Sequence, residues 1–565
     1  MSQFKKAVPL VILVAVLLTQ AAQCRGPVPS FLIDQSAPTV NFVGLHQYSR
    51  TLNQLPLVVR TTDDIGVSRV ELYIDRVLFA TSNIVPNLPI ALVSFNWTTV
   101  QNGKHVLQAK AYDAAGNSQM STLVVLSQNV VPPTGNNISL IPIIRYQTMR
   151  GWEATDQAGQ LATPAWNNYK DALFDQAVND LGLNRVRLEV PSGIENPTDY
   201  FSQMIAGEIS YGVYNSKRYE IINDNSDPNN INPNGFKWAS LDHSIDNIVL
   251  PMRQRLQARG ESLWINANYV DFGSSTFEHK DSPNEYAEFV LAAYLHMQSR
   301  YGFVPDSWEV ILEPDTGTAN WSAVQVAQAI KAAGDLLRAN NFTPNFVAPS
   351  TTDAGRTASF IDQIALTLGA MQYVGEFSYH RYSGGTPADL LNISTRAVLY
   401  NKQTAMLEWI GADYNTLHQD IKQGRNSSWQ QYTLAFPNEP DNGAQYYLVN
   451  DSNPNNPILT IGSRTKFLRQ YFRYIRAGAQ RIEALSGNAN FDPLAFINTN
   501  GKYVVVVKAG SGGSFSVQDL PAGTYGIKYT TASQYNVDLS DVAINAGQNL
   551  VANIPGAGVI TIFAR

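Results

Sequence analysis

Between residues 138 and 481 the chain alternates short apolar, β-branched runs with longer segments whose apolar residues recur every three to four positions. Eight such runs read as strands: Thr148–Glu153, Asn184–Val190, Ser262–Tyr269, Ser307–Glu313, Asn345–Ser350, Val374–His380, Thr404–Trp409 and Gln431–Phe436. The segments after them read as helices. In one of them, Val324, Ala327, Ile330, Ala333, Leu336 and Leu337 mark a single apolar stripe. A strand followed by a helix and another strand gives parallel neighbours, and eight units in order predict a (β/α)8 TIM barrel. A doubly wound open sheet is the competing arrangement. It usually carries a glycine-rich nucleotide loop after its first strand, and none stands here, so no nucleotide cofactor is expected.

The flanks read differently. At 565 residues the chain is too long for one core. Residues 37–128 hold short alternating runs spaced near ten residues and broken by turn clusters, which predicts an immunoglobulin-like β-sandwich. Trp97 is read as part of its core rather than as a sugar platform. Linkers are expected at 25–36 and 129–137. Residues 482–565 return to short strands, with Asn500-Gly501 as a hairpin signal, and predict a C-terminal β-sandwich. The strand at 138–145 is open to either assignment, barrel or terminal β-domain.

Composition narrows the class. Charged residues are 15% and aromatics 10%, a balance common in exported proteins that handle sugars. Net charge is −6 with no basic run, which argues against nucleic acid as a partner. Residues 1–24 place Lys5 and Lys6 before the apolar run Ala7–Leu18 and a small-residue tail, the order of a secretory signal peptide. The expected location is therefore extracellular or periplasmic. A lipid anchor through Cys24 is the competing reading, and Gln23 fits it poorly. Cys24 is the single cysteine, so neither an intrachain disulfide nor thiol chemistry is expected.

Chemistry concentrates at the strand ends. Ser307–Gly317 is an apolar run that stops at Glu313, Pro314 and a turn glycine, and Thr404–Trp409 carries Glu408 at its end. The carboxyl ends of barrel strands open onto one face, so two glutamates there can meet. Glycoside hydrolysis needs such a pair, at roughly 5–5.5 Å for retention and roughly 6.5–9.5 Å for inversion. The plainer alternative makes each an ordinary strand-end acid paired with an arginine. Arg187 on the second strand needs anions, either this pair or Glu189 or Glu153. His380 and Tyr382 lie two apart and share one face of the sixth strand. Trp152 and Trp409 could stack on a sugar ring or fill core, and Glu153 and Asp156 could bind substrate or shape a turn. The long insertion at 195–238 is expected to shape the cleft.

These motifs resemble glycoside hydrolase clan A, and family 30 most closely within it. Glu313-Pro314, Glu408, Arg187 and the His380/Tyr382 pair match the clan in type and order, and the run Phe467–Ile482 carries the family likeness. The resemblance implies Glu313 as acid/base, its pKa raised by an ionised nucleophile, and Glu408 as that nucleophile. Arg187 and Tyr382 would orient Glu408, while Trp152, His380 and Trp409 would bind sugar. It implies a monomeric, retaining, metal-independent hydrolase of β-glycosidic bonds in a polysaccharide or glycoconjugate, with no cofactor. One departure stands out. The clan usually has Asn before the acid/base Glu to bond the sugar 2-hydroxyl, and here that position is Leu312. The alternative function is a catalytically weak or inactive barrel serving as a carbohydrate-binding or cell-surface protein.

Overall fold

A computed structural model describes residues 34–45, 49–52, 54–98, 103–128, 133–273 and 275–565. The expected signal peptide, and most of the linker after it, lie outside the described residues. The chain divides into two compact units, Met1–Pro132 and Pro133–Arg565. Among the described residues no helix is long and apolar enough to cross a membrane.

The first unit is a six-stranded arrangement of mostly antiparallel strands. Two strands expected separately, Leu55–Thr61 and Ser68–Ile74, are one long strand, Gln54–Ile74, whose pairing shifts register between Thr62 and Val67. The turn sequence there makes a bulge rather than a reversal, because Asp63 accepts from the amides of Ile65 and Gly66 at 3.1 and 2.7 Å. Trp97 is 3% exposed and packs with Leu57, Val59, Leu72, Phe95 and Leu107.

In the second unit, eight strands follow one another as parallel neighbours: β1 (Gly151–Thr155), β2 (Arg185–Pro191), β3 (Trp264–Val270), β4 (Ser307–Glu309), β5 (Phe346–Asp353), β6 (Val374–Ser383), β7 (Gln403–Glu408) and β8 (Asn426–Pro437). β8 pairs with both β7 and β1, so the ring closes. Helices pack outside it. Helix Ala323–Ala339 starts at a capping box, in which Ser322 and Gln325 bond each other's backbone amides. It buries Val326, Ala327, Ile330, Ala333 and Leu337. Val324, expected on that stripe, is 44% exposed.

The interior of the ring is charged, where barrels of this shape are usually filled by branched apolar residues. Arg185 is fully buried, its Nε 2.6 Å from Glu153 and its Nη2 3.0 Å from Glu376. One layer up, Arg187 reaches Glu408 at 2.9 Å and Glu309 at 3.6 Å. Asn266 donates to Glu309 at 3.1 Å, and Ser428 to Glu376 at 3.0 Å. These side chains alternate along their strands, which is why they all face inward.

The strand at 138–145 belongs to the terminal domain. Asn137–Thr148 pairs antiparallel with Gln480–Ser486 and parallel with Gly513–Gln518 in a nine-stranded set. That domain therefore takes strands from both sides of the ring. The run that joins the ring to it bonds both: the Trp152 indole of β1 donates to the Ile475 carbonyl at 2.8 Å, and Gln470 donates to Thr530 at 3.0 Å.

The Arg185 layer makes a prediction about stability. Arg185→Met strands Glu153 in the ring without its cation and leaves Glu376 only Arg150, at 3.6 Å, which costs about 3–5 kcal/mol. Urea unfolding followed by tryptophan fluorescence should show this loss. Adding Glu153→Gln and Glu376→Gln should return most of it, and an Arg185→Met chain of unchanged stability contradicts the assignment.

Candidate active site

β4 is shorter than its sequence implied, since the regular ladder stops at Glu309. The chain still runs along the ring. The amides of Val310, Leu312 and Glu313 bond the carbonyls of Val347, Tyr269 and Ser350 at 3.0–3.2 Å. Leu312 thus leans on β3 and Glu313 on β5. Glu313 has φ +52° and its partner Ser350 φ +53°, a left-handed backbone that side-chain-bearing residues adopt at a cost of roughly 1–3 kcal/mol. Such strain is held where surrounding contacts over-determine the position. The turn is closed by Thr316, whose amide and hydroxyl both bond the Glu313 carbonyl.

Glu313 and Glu408 meet across the mouth. One carboxylate oxygen of each, together with a ring nitrogen of His380, lie within 4.8 Å of one another. His380 is fully buried on β6, and its Nδ1 is 2.9 Å from Glu313 Oε1. Glu408 accepts from Arg187 Nη2 at 2.9 Å on one oxygen and from the Tyr382 hydroxyl at 2.8 Å on the other. Arg187 also donates to the Leu407 carbonyl at 3.1 Å, which fixes its fork. It makes no pair with Glu189, which belongs to Arg218 and Tyr219. A Glu-His-Glu set offers ligand types a metal can use. Here both Glu408 oxygens are already bonded, one to a guanidinium, so the donor set suits hydrogen bonding better than a cation.

The two glutamates differ in setting. Burial is the largest influence on Glu313 and pushes its carboxyl up, but the bond and charge of His380, then Arg187, outweigh it and hold the carboxyl below its ordinary value. The expectation of a raised Glu313 is therefore corrected: its partner is a basic ring, and the Arg187 charge lowers it further. Tyr382 is pushed well up by burial and by Glu408, so it stays a donor.

Two cavities that share Asp156, Gln157, Glu189 and Arg218 reach the site through Arg187, which bonds Glu408, and Leu312, which precedes Glu313; neither carboxylate is among their walls. The smaller, about 180 Å³, touches Arg187, Leu312, Tyr432, Asn268 and Thr155. The larger, about 560 Å³, is walled by Phe201, Tyr211 and Tyr214 of the insertion and by Phe436 at the end of β8. Asp156, Glu189 and Arg218 border both. Asp156 is 3% exposed, and burial, then the Glu189 charge, push its carboxyl up to about 7. The insertion does line the cleft, through short helices Tyr200–Ile205 and Tyr211–Lys217.

Trp152 is not a sugar platform. It is fully buried, stacks on Phe472 at 4.3 Å and donates to the Ile475 carbonyl at 2.8 Å. Its side chain points out of the ring into the final helix, whereas its neighbour Glu153 points in. Trp409 is half-buried next to Glu408, with the Arg381 guanidinium 5.6 Å above its ring. Asn268, Thr155, Glu309 and Tyr432 were not singled out from sequence. Period-two counting from Glu153 and Glu313 reaches Thr155 and Glu309, while Asn268 and Tyr432 follow only from the pairing of their strands with neighbours.

Residues 38–109 match the family described as Bacterial Ig domain. No curated protein sequence matches the chain. Among solved structures, the catalytic domain of GH30 xylanase C from Talaromyces cellulolyticus aligns at TM-score 0.56 and 17% identity, over 76% of this chain and 100% of that one. An endo-β1,6-glucanase aligns at 0.54 and 15%, over 82% and 100%. A conserved exported protein from Bacteroides fragilis aligns at 0.55 and 12%, over 76% and 100%. At these identities the likeness is one of fold: the second unit has the fold of family 30 glycoside hydrolases, and the first carries a bacterial Ig domain.

The Glu313–His380 contact can be tested alone. His380→Phe keeps a ring of similar bulk and removes the bond and the charge, leaving burial as the main influence. The Glu313 carboxyl should then titrate at higher pH, read by carbon-13 NMR of labelled glutamate. An unchanged or lower titration contradicts the pairing.

Proposed function

We propose that the protein is an exported, retaining glycoside hydrolase of β-linked polysaccharide or glycoconjugate, with Glu313 as acid/base and Glu408 as nucleophile. One observation carries this reading: the two carboxylates approach within 4.8 Å while their partners give them different roles. That approach agrees with the roughly 5–5.5 Å of a retaining pair rather than the roughly 6.5–9.5 Å of an inverting one. Glu408 is aimed by a guanidinium and a phenol, each donating to one of its oxygens. Glu313 is bonded by the His380 ring rather than by a guanidinium. A sugar seated on the pair deepens the burial of Glu313, the influence that moves its carboxyl upward, and so favours the protonated acid in the complex. Glu313 then protonates the leaving oxygen as Glu408 attacks the anomeric carbon, and as a base it activates the water that hydrolyses the glycosyl-enzyme. The fold likeness to xylanases and an endo-β1,6-glucanase supports a β-glycan substrate. The bacterial Ig domain and the fold likeness to an exported protein support export.

A second reading has its own observation. Leu312 offers no hydrogen bond at the position next to Glu313, and the free Glu313 is held below its ordinary value, both of which suit a barrel that binds glycans without turning them over. Hydrolysis and binding screens on the same glucans, galactans and xylans separate the two.

Glu408→Ala should abolish turnover, by at least about 10³-fold, and added azide should restore part of it as a glycosyl azide of inverted configuration. Full activity in that variant sinks the assignment.

A further inference from the structure

The smaller cavity contains polar groups that the fold leaves unanswered. Asn268 is 2% exposed, and its Oδ1 has no hydrogen-bond partner; Thr155 is 5% exposed, and its Oγ1 has none either. Both line the same 180 Å³ space as Arg187, whose Nη2 holds Glu408, and as Leu312, which precedes Glu313. An amide oxygen buried without a partner destabilises the fold. A fold tolerates that where a ligand supplies the missing group. Asn268 belongs to β3, where its Cα stands in register with Glu189 of β2 and Glu309 of β4. Glu189 and Glu309 beside it are acceptors, and the donors that share its cavity, Arg187, Thr155 and Tyr432, make no bond to its Oδ1. What fits is a hydroxyl donor small enough for this space and carried on a ring that also reaches Glu408.

We propose that Asn268, with Thr155, reads a ring hydroxyl of the sugar seated on the Glu313–Glu408 pair, taking from β3 and β1 the contact that Leu312 cannot make from β4. The inference rests on Glu313 and Glu408 being the reacting pair. The hydroxyl donates to Asn268 Oδ1, and the Asn268 amide N–H₂ and the Thr155 hydroxyl answer its oxygen. Leu312 and Val270 form the apolar side of the same space, which suits the C–H face of the ring. A site built this way rejects the analogue lacking its hydroxyl, because the buried amide is then left unpaired. Asn268 is thus a specificity-determining contact rather than a group that moves a proton.

The test uses the full chain with aryl β-glycosides of glucose, xylose and galactose and their monodeoxy analogues. Asn268→Ala and the near-isosteric Thr155→Val should each lower kcat/KM about tenfold or more on the glycoside that the unsubstituted chain hydrolyses best. On one monodeoxy analogue of that sugar the same substitutions should cost little. A role in packing alone lowers all of them alike, and that outcome, or no loss at all, overturns the proposal. Calorimetry on the same glycosides keeps it separable from the hydrolase reading. If the unsubstituted chain binds them without cleaving any, the hydrolase reading fails, and the proposal stands only if Asn268→Ala erases the preference for the parent sugar over its deoxy analogue. A chain that neither cleaves nor binds any of them contradicts it.

Discussion

Two arginines in the middle of the ring hold the site together. Arg185 bonds Glu153 and Glu376, and Arg187 bonds Glu408 and approaches Glu309. Four carboxylates from four different strands are tied to two adjacent inward positions of β2. Without those cations the acids would repel one another in a space that excludes water, and each would be driven to take up a proton. Burial does push Glu153 upward even with Arg185 beside it. Burial also works against the charge on Arg187, and the fields of Glu309 and Glu408 outweigh it. The lower layer stabilises the ring, and the upper layer delivers one ordered carboxylate to the mouth.

The mouth is asymmetric for the same reason. Glu408 faces the arginine layer directly and receives two donors. Glu313 sits beyond the end of a three-residue strand, in a left-handed turn, against a buried histidine. One carboxylate is fixed by the ring and the other by a loop and a histidine. The cleft leads away past Leu312 into cavities shaped by the insertion, where Asp156 and the Glu189–Arg218 pair form the floor.

Much of this was legible in the sequence. The eight apolar runs lie within a few residues of the eight strands, because the outward face of each strand packs on helices and stays apolar even where the inward face is charged, as Val186 and Leu188 do between Arg185, Arg187 and Glu189. The glutamates at the ends of two runs, the arginine on the second and the His-x-Tyr on the sixth come together because parallel closure brings strand ends to one face. Other features depend on contacts that periodicity does not carry. Trp152 looked like a platform from its place near a strand end, but its parity turns it toward Phe472. The strand at Asn137–Thr148 pairs with residues more than 300 positions away, which no local pattern reports. Glu313 was expected to be raised by a neighbouring carboxylate, and a histidine more than sixty residues later reverses that.

The account turns on Glu408 forming a covalent bond to the sugar. Aryl 2-deoxy-2-fluoro-β-glycosides of glucose, xylose and galactose slow the second displacement and allow the intermediate to accumulate. Mass spectrometry of the treated, digested chain should find one fluoroglycosyl adduct, on the peptide that holds Glu408, and none in the Glu408→Ala chain. An adduct on another residue, or steady hydrolysis of the parent glycoside with no adduct at Glu408, would contradict it.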